Sequence, residues 1–216
     1  MPQTCDLWAC VGKWAGLLAV LVSGCAQGPI SLTDNTKARV GYEQVLEHHS
    51  RTGRVLSKTE FDTDLLVVAT LRSKAFQRAF VGRLLTTYAV LDPWEQSRIE
   101  KEQTEQTQTG LSLFVLSKTH TASWNELRPQ MGKWRLSLRD DQGREVQADK
   151  VEGFSSRQTV QLALLGAGQD PFAKLWAVHF PDKASDGQPF PLPSCRKIRL
   201  RVAGPLGQTE LSWSLQ

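Results

Sequence analysis

The sequence predicts a mainly β protein, a two-sheet antiparallel sandwich of immunoglobulin-like type with a helical insert at about 74–108. Three observations lead there. Seven or eight short segments carry the apolar patterns of strands and are separated by turn residues. One pair of them, within Lys133–Lys150, reads as a hairpin from its turn chemistry and from its charges independently. A single stretch of helical period, Phe76 to Leu91, interrupts the strands. The chain lacks the Cys…Trp…Cys spacing of antibody-type domains, so the expected kinship is architectural only.

Composition narrows the rest. The chain has 216 residues and a net charge of +4, from 26 Lys and Arg against 22 Asp and Glu. That length suits one domain. With 22% charged residues, seven Trp and eight Phe, the chain is too apolar to be disordered. Four Cys are too few for a disulfide scaffold. A charge of +4 is far below the density of a nucleic-acid-binding module, so no nucleic acid is expected as a partner.

The N-terminus reads as an address. Lys13 precedes the apolar run 14–22, which is too short to cross a bilayer and long enough for the core of a secretion signal. The run ends in Val22-Ser23-Gly24-Cys25. These residues resemble the lipobox of bacterial lipoproteins. The resemblance implies that residues 1–24 are cleaved and that Cys25, diacylated and N-acylated (palmitate being a common chain), becomes the mature N-terminus. Several acyl chains suffice for stable attachment. Ala26 follows where the inner-membrane sorting signal would be Asp, which implies the outer membrane. Residues 25–36 then form the lipidated Cys and a tether, whose eleven residues from Ala26 reach roughly 35–40 Å. Residues 37–216 form the single sandwich domain.

Within that domain the elements follow in order. Residues 37–50 predict a short helix with Gly41 inside it, and 54–59 a strand entry. Asp64–Arg72 is apolar on both faces, as a buried central strand should be. Ser73 caps a helix whose apolar stripe runs through Phe76, Phe80, Val81, Leu84, Leu85, Tyr88 and Leu91. Asp92-Pro93-Trp94-Glu95 opens a second, mostly polar helix. Leu111–Ser117 is a strand. Ser123 to Glu126 reads as a capping box for a turn of helix ended by Pro129.

Lys133–Arg139 alternates strictly, with Trp134, Leu136 and Leu138 on one face. A three-residue loop ending in Gly143 joins it to Arg144–Lys150. That register sets Leu138 opposite Val146, Arg139 opposite Glu145 and Arg135 opposite Asp149. Thr159–Leu165, Leu175–Phe180 and Lys197–Val202 are further strands. The last hairpin turns through Gly204–Gly207 and sets Leu200 opposite Trp213. The pattern of WRLSLRDDQGREV with a closing GPLGQTELSW is similar to envelope lipoproteins of myxobacteria and their relatives over about 60–215, a resemblance that implies no activity.

The chain holds no HExxH, GxSxG, Walker loop, CxxC or EF-hand motif, and no cofactor or metal site is expected. His48 and His49 point about 100° apart on a helix and cannot share a metal. Pro189–Pro193 reads as an extended connection. Cys195 is the one thiol left after processing and is expected to be buried. Lys197, Arg199 and Arg201 share a strand face about 6.8 Å apart, opposite serines in the expected register. Such a stripe suits an anionic lipid or protein partner, or guards a sheet edge against aggregation.

These features predict a lipid-anchored cell-envelope protein acting as a non-catalytic binding or assembly module. The alternatives are an envelope hydrolase assembled around Asp62, Asp64 and His179, or a structural accessory subunit of an envelope complex.

Overall fold

The computed structural model describes residues 28–32, 41–56, 63–87, 92–94, 96–98, 101, 110–154, 159–166, 170 and 172–216. The signal segment with Cys25, Asp62, Tyr88 and Leu91 fall outside the described residues.

Among the described residues the chain forms nine strands in two antiparallel sheets. They are β1 (Ser50–Leu56), β2 (Thr63–Leu71), β3 (Leu111–Lys118), β4 (Arg135–Arg139), β5 (Glu145–Gln147), β6 (Lys150–Gly153), β7 (Ala173–Phe180), β8 (Lys197–Gly204) and β9 (Gly207–Ser214). One sheet has the order β1-β2-β3-β7-β6 and the other β5-β4-β8-β9. Helices accompany them: α1 (Tyr42–His49), α2 (Lys74–Thr87) and α3 (Thr159–Leu164), and the described residues 93–94, 96–98 and 101 are helical too, as the Asp92-Pro93 start predicts. The predicted sandwich with a helical insert is the fold observed.

The two sheets enclose one core, in which Leu65, Val67, Leu71, Leu113, Val115, Val178, Leu138, Ile198, Leu200, Val202 and Trp213 are fully buried. A second cluster lies on the other side of the five-stranded sheet. There Val45 of α1, Phe76, Phe80 and Leu84 of α2, and Leu165 just beyond α3 pack on Phe114, Leu175 and Ala177. The five-stranded sheet is therefore covered on both faces. This is why β2 and β3 read as continuous apolar runs rather than alternating ones.

Ser73 caps α2 as expected, its Oγ accepting the Phe76 N–H at 3.1 Å. The same hydroxyl lies 2.8 Å from His49 Nε2, while His49 Nδ1 lies 2.8 Å from the Val45 carbonyl. A carbonyl only accepts, so Nδ1 carries the proton and the Ser73 hydroxyl donates to Nε2. The His49 carbonyl in turn accepts the Trp213 indole N–H at 2.8 Å. One buried histidine thus ties α1 to the start of α2 and to β9.

Four sequence expectations change. Thr159–Leu165 is not a strand but α3, whose Gln, Leu and Ala residues are good helix formers and whose apolar side joins the helical layer. Gly41 stands at the N-cap of α1 rather than inside it. No helix opens at Ser123: the Glu126 carboxylate turns to Arg128, accepting from its backbone N–H at 3.1 Å and its guanidinium at 2.7 Å, and a 3-10 turn follows at Pro129–Met131.

The fourth concerns Arg135, which does not face Asp149. Leu138↔Val146 and Arg139↔Glu145 pair as predicted, with Gly143 at φ 86° closing the turn. The buried Asp140 carboxylate holds that turn, accepting from Arg144 Nε at 2.8 Å and from two backbone N–H groups. After Gln147 the chain leaves for the other sheet. The Ala148 N–H bonds Leu136 in one sheet and the Asp149 N–H bonds His179 in the other, so the expected long strand is two strands, β5 and β6.

Unfolded histidine titrates near 6.5, and burial lowers His49 to about 4. The folded state binds fewer protons, so stability is fully present above pH 6.5 and declines as pH falls to about 4, by about 3 kcal/mol. Urea midpoints measured from neutral pH down to pH 4 should show this decline, and His49→Gln should flatten it. At Gly204 a Cβ would sit 2.5 Å from the Trp134 ring and 2.6 Å from the Lys133 carbonyl oxygen. Gly204→Ala should cost about 1–3 kcal/mol of stability, read from the same urea midpoints.

Candidate anionic-partner face

The outer face of the four-stranded sheet is its solvent-facing side. In β8 the alternation KIRLRV sends Ile198, Leu200 and Val202 into the core and Lys197, Arg199 and Arg201 outward. The predicted stripe is therefore present, although its partners differ from those expected. The β8–β9 turn has two residues, Pro205 and Leu206, and the ladder extends to Gly204↔Gly207. Leu200 consequently faces Leu211, not Trp213. A shift of two residues keeps every side chain on its face but changes the opposite residue. Lys197 faces Ser214, Arg199 faces Ser212, and Arg201 faces Glu210.

On its other side β8 pairs with β4, which carries Arg135 and Arg139 outward. Arg139 stands directly opposite Arg199. The face thus gathers Arg135, Arg139, Lys197, Arg199 and Arg201, against the carboxylates of Glu145 and Glu210. Among the described residues no carboxylate approaches any of these five cations within 4.0 Å. Arg201 gives its Nε and Nη2 hydrogens to the Gln208 amide oxygen, at 3.2 and 2.5 Å, rather than to Glu210.

Sequence reasoning missed Arg135 and Arg139 because it paired them with acids on the following strand. Their true company comes from the contact between β4 and β8, which are separated by almost sixty residues. The available signal was that RLSLR and KIRLRV share one alternation of cation and apolar residue. The stripe is not edge protection, since β8 is flanked by β4 and β9.

Of the residues of the hydrolase alternative, the two that are described, Asp64 and His179, do not come together. His179 pairs with Ser112, whose carbonyl accepts the Arg72 N–H at 3.0 Å. Asp64 is eight residues before Arg72 on β2, about 27 Å away along the strand. His179 is half-buried, with Arg72, Lys150, Glu152 and Asp149 around it. Arg72 stacks over Phe114, 4.4 Å from the ring centre, and burial lowers its pKa to about 10. Burial and the Arg72 charge both push His179 below the ordinary histidine value. Cys195 is buried as expected, its thiol pushed up by burial and donating to the Lys197 carbonyl at 3.2 Å. Among the described residues no group of three His, Cys, Asp or Glu side chains is placed to hold a metal ion, and no helix is long and apolar enough to cross a membrane.

No protein-family model matches the chain, no curated protein matches it, and no solved structure matches it.

Like charges directly opposite on neighbouring strands repel. Arg199→Gln should therefore raise stability by about 0.2–1 kcal/mol at low ionic strength, with the gain shrinking as salt is added. Denaturation midpoints at two salt concentrations check this, and an unchanged or lower stability at low salt contradicts the repulsion.

Proposed function

We propose that the chain is a lipid-anchored cell-envelope protein, held in the outer membrane by acylated Cys25, whose β-sandwich is a non-catalytic module for binding an anionic partner. The observation that carries the binding role is the Arg139–Arg199 juxtaposition at the centre of a five-cation face. A fold gains nothing by setting two guanidinium groups opposite each other on interior strands. A ligand that supplies negative charge there does gain, because the donors are already arrayed on a rigid sheet. The separation of Asp64 from His179 favours this reading over the hydrolase. The anchor rests on the Val22-Ser23-Gly24-Cys25 pattern after a short apolar run. No cofactor is required.

Cys25→Ala should abolish incorporation of labelled palmitate and move the protein from the membrane fraction to the soluble fraction. Retention in the membrane fraction without label would remove the anchor from the reading.

A further inference from the structure

Resting on that reading, we infer that the anionic partner is the phospholipid headgroup surface of the membrane to which the chain is tethered. The N-terminal segment joins the fold at Ile30. Ile30 is buried, at 2% exposure, and forms a parallel bridge to Leu215. Its N–H bonds the Ser214 carbonyl at 2.8 Å, and its carbonyl accepts the Gln216 N–H at 3.2 Å. The segment at Ile30, expected as part of a free tether, is thus pinned to the outer edge of β9, which β1 also approaches, beside the cationic β8. Gly28 already lies beside His48 at this edge.

From Gly28 back to Cys25 there are three residues, a reach of about 11 Å at full extension. β8 is one strand spacing from β9 and β4 is two, about 5 and 10 Å across the sheet. An acylated Cys25 therefore brings a lipid surface to the same edge of the molecule that borders the cationic face.

Two broad surfaces meet that edge, and charge distinguishes them. On the helical layer α1 exposes Glu43 and Glu47 beside the cations of α2, and Arg83 is engaged with Glu43 at 3.5 Å. The sheet face holds five cations without a carboxylate in ion-pair range among the described residues. A negative headgroup layer is complementary to the sheet face. A basic patch of this size, added to acyl chains, is the second attachment signal used by peripheral proteins. It would lay the sandwich flat, with Arg139 and Arg199 sharing phosphate groups.

The test uses residues 25–216 with Cys25→Ser, which retain every described residue and leave the acyl chains out. Sedimentation with vesicles of equimolar phosphatidylglycerol and phosphatidylcholine should show binding that weakens with salt, with none to phosphatidylcholine alone. The Arg139→Glu/Arg199→Glu pair should weaken binding at least about tenfold, and Lys74→Glu on α2 should leave it unchanged. Circular dichroism checks the fold of each variant, and Arg139→Gln/Arg199→Gln replaces the reversal if that fails to fold. Equal binding by the face variants, or a loss with Lys74→Glu instead, overturns the inference. Soluble polyglutamate is the second probe. Binding to it by the same arginines without vesicle binding overturns the membrane partner while the anionic-partner reading stands; binding to neither probe overturns both.

Discussion

The five-stranded sheet is buried on both of its faces, by the second sheet on one side and by the helical layer on the other. A backbone ladder in that position satisfies its own hydrogen bonds, but its side chains must be apolar in both directions or find polar partners locally. β2 and β3 meet this demand with aliphatic and aromatic residues, and with short polar contacts such as Ser50 to Thr70 at 2.7 Å. Charge is thereby excluded from most of this sheet. The solvent-facing sheet surface is the outer face of β5-β4-β8-β9, and there the alternation of RLSLR and KIRLRV delivers its cations.

The helical layer depends on a small polar junction. His49 ends α1, receives the Ser73 hydroxyl that caps α2, and lends its carbonyl to Trp213 of β9. These bonds require a neutral ring with its proton on Nδ1. A second proton, on Nε2, would displace the hydroxyl hydrogen that Ser73 gives to this nitrogen, and the added charge would be buried. The packing of helices on the sandwich and the closure of its β1/β9 edge are thus coupled through one imidazole. Arg51 reinforces that edge, bonding the Ser212 carbonyl at 3.0 Å from β1.

Much of this was legible before any coordinates. Ser73 and the stripe through Phe76, Phe80 and Leu84 specify α2, because capping and a 3.6-residue period are local properties. The β4–β5 hairpin was legible to its loop length, since Gly143 and the Arg139–Glu145 pair constrain one register together. The failures have equally physical origins. Gln161–Leu165 is a short apolar run that periodicity cannot assign, and its helix is decided by packing on the helical layer. The β8–β9 register lies two residues from the expected one because the loop is centred on Pro205-Leu206, with Gly204 opposite Gly207, whereas Leu200 opposite Trp213 would centre it on Leu206-Gly207. The switch of sheet between Ala148 and Asp149 has no local signature at all, because it is set by which neighbour each successive N–H finds.

The sequence by itself determined the class of fold, the inward and outward faces of β4 and β8 and the pattern at Cys25, since each depends on residues close together in the chain. Tertiary structure alone decided which strands are neighbours. That ordering sets Arg139 against Arg199 and pins Ile30 beside Leu215. Strand order depends on burying two sheet faces at once across contacts distant in sequence, and no local period records the result.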